Sequence, residues 1–208
     1  MLRRILVVFV VLGLALSFWT VPAAAQPEIH RFRFRGLSAS AAFSSIDDTE
    51  CILTDVFVSA TNGNVKVDGQ PDETTEGFID ISQFDTCTGE QLLAASGFSL
   101  LPPDEFVIDQ ELNQAALDTT FVVDDFVSGA TFRVDVSISW SGAGDISTQR
   151  SVFYFKSPGV RIFSHVKGTF RDAEAIGTVT GLDTNFTPEP AVFAELANVT
   201  NGELTSIH

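Results

Sequence analysis

Along residues 131–140 apolar and polar side chains alternate without a break. Phe132, Val134, Val136, Ile138 and Trp140 fall on one side, and Thr131, Arg133, Asp135, Ser137 and Ser139 on the other. Successive side chains of an extended chain point to opposite sides, so the stretch predicts a half-buried strand with Trp140 in the core. The SGAGD that follows and the apolar run Val152, Phe153, Tyr154 and Phe155 predict a partner strand. The two are expected to form a hairpin around a loop holding two glycines, at the centre of an antiparallel core.

Other segments repeat the pattern less cleanly. Residues 29–36 alternate Phe32 and Phe34 with Arg31, Arg33 and Arg35, a strand with one wet face whose arginines are expected to meet carboxylates on neighbouring strands. Residues 37–45 are small and serine-rich, a thinly packed strand, and residues 50–60 carry a mixed pattern that predicts burial on both faces or a bulge. In residues 77–85, Phe78, Asp80, Ser82 and Phe84 oppose Ile79, Ile81 and Gln83. Residues 91–101 read as a strand broken near Gly97 and stopped by Pro102 and Pro103. Residues 119–127, 160–170, 174–180 and 192–199 are strand-like, residues 109–117 have the composition of a small helix, and residues 61–76, TNGNVKVDGQPDETTE, read as a loop.

About ten to thirteen short strands, close turn signals and no alternation of strands with helices predict an all-β protein, a single antiparallel β-sandwich or jelly-roll-like domain. It is expected to follow an N-terminal signal peptide. Residues 1–25 open with Arg3 and Arg4, continue through an apolar run from Ile5 to Leu16, and end in Ala23, Ala24 and Ala25. That is the anatomy of a Sec-type leader cleaved after Ala25, leaving residues 26–208 as one domain, secreted or extracellular, with no stable membrane insertion after cleavage. In an oxidising compartment the two cysteines, Cys51 and Cys87, are expected to form a disulfide.

Net charge narrows the partners. Without Arg3 and Arg4 the chain carries 10 basic and 27 acidic side chains, which moves the formal charge from −15 to −17. A surface that acidic repels phosphate backbones, which argues against nucleic acid and against adhesion to an anionic membrane. It suits solvation, divalent cations or a basic partner.

Candidate chemistry is sparse. The chain has no phosphate-binding glycine loop, nucleophile elbow or metalloprotease helix motif. Of the histidines, His30 stands beside the expected new N-terminus and His208 at the C-terminus, while His165 falls well inside a strand pattern and with Tyr154 is a candidate ligand contact. Asn62, Asn64, Asp68 and Asp72, with Glu73 and Glu76, supply oxygen donors of the kind calcium takes, although turn chemistry explains the same residues. No other cofactor is expected. A glycosidase needs two carboxylates flanking one bond. The neighbours Asp47–Asp48 and Asp124–Asp125 would point to opposite faces of a regular strand, so such a pair must come from distant segments. Asn185 and Asn198 head glycosylation sequons.

The phrases FDTC at 84–87, SWSGAGD at 139–145, FRDAEAIGTV at 170–179 and NFTPEP at 185–190 resemble those of a group of uncharacterised exported bacterial all-β proteins. The resemblance spans most of residues 26–208 and implies fold and export, with no function attached. The Pro-Glu-Pro at 188–190 lacks the apolar helix and basic residues that follow such a triplet in a sorting tag. The expectation is therefore a secreted, non-catalytic binding or structural module for an extracellular ligand or surface component. The alternative is a secreted carbohydrate-active hydrolase using a carboxylate pair.

Overall fold

The computed structural model describes residues 28–47, 49–182 and 185–207. The leader read in residues 1–25, Asp48 and His208 lie outside the described residues. The described chain is all-β, with eleven strands and no helix: β1 (Glu28–Asp47), β2 (Ile52–Val67), β3 (Gln70–Asp85), β4 (Gln91–Leu100), β5 (Phe106–Ile108), β6 (Gln114–Asp125), β7 (Thr131–Gly142), β8 (Ser147–Ser157), β9 (Val160–Thr180), β10 (Phe186–Pro190) and β11 (Phe193–Ile207). All belong to one sheet, and every pairing is antiparallel.

The pairings form a closed circuit of eight strands, β1–β2–β3–β4–β6–β7–β9–β11 and back to β1. Closure removes free edges from this part of the sheet. The weakest seam is β4 to β6, where only Ala95↔Asp125 and Ser96↔Asp124 are paired. Alternation fills the ring: Ala39, Ala41 and Phe43 of β1, Val56 and Val58 of β2, and Ile79 and Ile81 of β3 point inward and are buried. From the other side come Phe121 and Val123 of β6, Val134, Val136, Ile138 and Trp140 of β7, and Val179 of β9. Trp140 lies in the core as its alternation predicts, and its Nε1–H donates to the Ser40 carbonyl across the interior at 2.9 Å.

The expected hairpin at 131–155 does not form. β7 and β8 lie end to end along one edge of β9, with Gly142 opposite Ala173 and Ser147 opposite Phe170. The glycine-rich interruption offsets the register rather than reversing the chain, because β9 is 21 residues long and pairs with both. Residues 61–76 are likewise strand, not loop. β2 and β3 continue to a two-residue turn at Asp68 and Gly69, whose φ values of 50° and 87° are both positive. Two left-handed residues match the twist of a tight hairpin, and Asp-Gly tolerates that conformation. The segment with helical composition at 109–117 is a turn feeding β6, held where the Asp109 carboxylate accepts from the backbone N–H groups of Asn113 and Gln114.

Cys51 and Cys87 are bonded, with Cα atoms 5.6 Å apart. They flank Ile52↔Asp85, the last pair of the β2–β3 ladder, so the bridge clasps the open end of that hairpin.

Beyond the ring six strands run on as an open sheet in the order β8–β9–β11–β1–β2–β3. With strands ~4.8 Å apart and ~3.4 Å per residue, this apron is about 25 Å wide and about 30 Å long. Arg171 closes the mouth of the ring at its base, donating from Nη1 to the Leu112 carbonyl and Asn113 Oδ1 and from Nε to the Gly144 carbonyl.

Candidate binding face

The apron's front face is decided by register. From the buried Ala39, two-residue steps back along β1 reach Leu37, Arg35, Arg33 and Arg31, with no shift against either neighbour. The face that lines the ring is therefore cationic where the sheet opens. β2 adds Lys66, β8 adds Arg150 and Lys156, and β9 adds Arg161 and Lys167. With Arg171 at the mouth, nine of the ten basic residues after position 25 share this face; Arg133 is the exception.

Of the arginines of 29–36, Arg31 lies beside the Asp68 carboxylate, while Arg33 and Arg35 do not face carboxylates across the strands as expected. Arg33 stands between Lys66 and Gly202, and Arg35 between Asn64 and Thr200. Arg150 is directly opposite Lys167, and Lys156 directly opposite Arg161. Three directly opposed like-charge pairs oppose folding of the sheet at this site. Glu73 is the one strand carboxylate on the face among the described residues, and Asp68 sits in the turn beside Arg31. The ion pair formed among the described residues is His30 with Asp68, at 3.0 Å.

Between the cations lies an apolar cluster. Tyr154 is opposite Phe163, which is opposite Leu204, and Val152 is one step along from Tyr154. All four are exposed, Tyr154 at 60% and Phe163 at 45%. The reverse side carries Phe32, Phe34, Val65, Ile162, Val166, Phe153 and Phe155. There the Phe34 ring lies over the facing glycines 36 and 63, where an added Cβ would meet it at 2.7 Å.

The structure gathers some of the residues singled out by sequence and scatters others. Tyr154 and His165 share the front face on adjacent strands, with Asn62 and Asn64 further across it. Asp72 points to the reverse side. Asp68 is occupied: its Oδ1 accepts from the Arg31 N–H at 2.7 Å and its Oδ2 lies 3.0 Å from His30 Nδ1. The four proposed calcium donors are thus divided among two faces and a turn, and the described residues contain no group of three or more His, Cys, Asp or Glu placed to hold a metal.

Asp124 and Asp125 point to opposite sides, as alternation requires. Asp125 holds the β6–β7 turn, accepting from the backbone N–H groups of Val127 and Ser128 and from the Ser128 hydroxyl. On the ring's outer surface Asp80 is opposite Ser96, which is opposite Asp124. Burial raises the Asp80 pKa. Two strand spacings separate Asp80 from Asp124 by about 10 Å, at the upper limit of the gap an inverting glycosidase uses. Asp124 is bonded to the Thr131 hydroxyl at 2.7 Å on this convex surface.

Several turn carboxylates have lowered pKa values. The Ser128 hydroxyl and then the Val127 N–H hold Asp125 down, the Arg31 N–H and then His30 hold Asp68 down, and the Thr88 N–H and hydroxyl hold Asp85 down. A group lowered in the folded state supplies stability that is present above its unfolded pKa, near 3.8, and is lost as pH falls through the folded value. Asp80, raised, works in the opposite direction and alone. The melting temperature is therefore expected to fall progressively as the pH drops below about 5. Asp125→Asn is expected to lower it at neutral pH and shrink the acid-induced drop; thermal melts across pH, followed by circular dichroism, check both.

No protein-family model matches this chain, and no curated protein matches it either.

Proposed function

We propose that this protein is a secreted, non-catalytic binding module whose ligand site is the front face of the open sheet. The observation that carries this reading is the gathering of nine of the ten basic side chains of residues 26–208 on one face, six of them in three directly opposed like-charge pairs. Like charges across strands cost stability, and an anionic ligand offsets that cost on binding. The leader-like pattern of residues 1–25 and the Cys51–Cys87 bridge, which suits an oxidising compartment, support export by a Sec-type signal. In finer terms we infer a flattened, filled ring in which β1–β2–β3 pack against β6–β7–β9 as the two layers of a sandwich.

The purified protein is expected to be retained on at least one anionic matrix (sulfated glycan, polyphosphate or anionic lipid) and released by salt. Retention by none of them would remove the module reading. The hydrolase reading rests on Asp80 and Asp124 across Ser96. Turnover of a glycoside substrate, abolished by Asp80→Asn or Asp124→Asn, would replace the first reading with the second.

A further inference from the structure

The cations of the apron form a two-dimensional array. Along β1, Arg31, Arg33 and Arg35 are spaced by about 6.8 Å, and other cations stand on β2, β9 and β8 across about 20 Å of sheet. A single linear polyanion follows one stripe of such an array and leaves the others unpaired. A plane of anionic groups meets all of them at once.

The apolar residues point the same way. Tyr154, Phe163, Leu204 and Val152 are exposed beside Arg31, Arg33 and Lys167, with Lys156 and Arg161 at the tip. Tyrosine and phenylalanine amid lysine and arginine suit a membrane interface, where aromatic rings enter the headgroup layer and long basic side chains keep their charge at the phosphates. A dissolved polyphosphate offers the apolar cluster little, and a sugar chain stacks on single rings without covering the aliphatic Leu204 and Val152 beside Tyr154 and Phe163.

Resting on the reading that this face is the binding site, we propose that it docks flat on an anionic lipid bilayer, with Arg31, Arg33, Arg35, Lys66, Arg150 and Lys167 meeting phosphate groups and Tyr154 and Phe163 entering the interfacial layer. The net charge, −17 without Arg3 and Arg4, does not prevent this. Opposing charges are screened beyond a Debye length of about 8 Å at physiological salt, and the acidic side chains are carried mainly by the ring's outer surface, its turns and the reverse of the apron. The segregation also orients the molecule, basic face toward the bilayer.

The test uses the whole chain with vesicles of phosphatidylcholine alone or mixed with phosphatidylglycerol, read by flotation at low and high salt. Anionic vesicles are expected to bind the wild type in a salt-dependent way. A variant carrying Arg33→Ser, Lys66→Ser, Arg150→Ser and Lys167→Ser is expected to lose at least about a hundredfold in partition, at about fivefold per cation near an anionic surface. That variant relieves two of the three like-charge pairs, so its melting temperature should hold or rise, which separates lost binding from lost folding. Arg133→Ser, off the face, should bind as the wild type does, while Tyr154→Ser with Phe163→Ser should weaken partition at every salt concentration. A fourfold variant that binds anionic vesicles as tightly as the wild type would overturn the proposal. So would salt-sensitive retention on sulfated glycan or single-stranded DNA without any preference for anionic vesicles; that result removes the lipid and leaves the binding module standing.

Discussion

Trp140→Ala is expected to cost about 3–5 kcal/mol, the range for removing a large aromatic side chain from a packed core. A domain of ordinary stability has about 5–15 kcal/mol in total, so the variant should sit near the edge of folding. Two effects combine. The side chain is 1% exposed and lies among the interior residues of β1, β7 and β9, so its removal leaves a cavity that closed strands cannot collapse to fill. Its Nε1–H also donates to the buried Ser40 carbonyl at 2.9 Å, and that hydrogen bond is lost with the ring. Trp140→Phe separates these effects, retaining most of the apolar volume while dropping the hydrogen bond, and should cost about 1–3 kcal/mol. Urea unfolding followed by circular dichroism measures both. A Trp140→Ala midpoint close to that of the wild type would contradict the placement of this ring at the centre of a filled ring.

Removing the disulfide is expected to have the next largest effect. With Cys51 and Cys87 separated by 36 positions in sequence, the chain-entropy relation puts the stabilisation at about 4 kcal/mol. The measured loss in Cys51→Ser with Cys87→Ser should be somewhat smaller, about 2–4 kcal/mol. The β2–β3 ladder runs from Ile52↔Asp85 to the Asp68–Gly69 turn, and residual pairing there already limits the unfolded chain. The double variant should remain folded, with β2 and β3 still paired on both sides, and melt at a lower temperature. Reduced wild type should melt with it. Thiol titration of the unreduced protein should find no free cysteine, and two titratable thiols would dismiss the bridge.

Both predictions were partly open to view in the amino-acid order. Strict alternation assigned Trp140 to the interior without reference to any partner, because the side a residue takes on a strand is a local property. The cysteine pair was read from its number and the leader-like pattern of residues 1–25. The Asp68–Gly69 turn was also legible as Asp-Gly between segments of alternating pattern, but the polar residues around it, Asn62, Asn64, Asp72 and Glu73, hid the strands. Their strands flank the open apron and have no core to bury against, so they lack the apolar face that marks a strand in sequence.

The candidate binding face was half legible. Arg31, Arg33 and Arg35 announce a shared side by their spacing, whereas the neighbours of that side depend on register. A one-residue slip of β2 would have placed Val65 or Val67 beside Arg33 in place of Lys66. Arg150 and Lys167 meet only because β8 continues the line of β7 along the long β9 instead of folding back on β7. Net charge, a sum over the whole surface, carries no record of how the two signs are divided between faces.

What the order of residues determined by itself is the strand character of the chain, the inward side of most strands and the chemistry of the tight turn and the cysteine pair. All of these follow from interactions between residues near one another or from composition. Which strands are neighbours, that eight of them close into a ring while six run on as an open sheet, and that nine cations share one face were decided only in the tertiary structure. These depend on pairings between residues far apart along the chain, such as Arg33 with Lys66 and Trp140 with Ala175, and no local pattern encodes the register of such a pair.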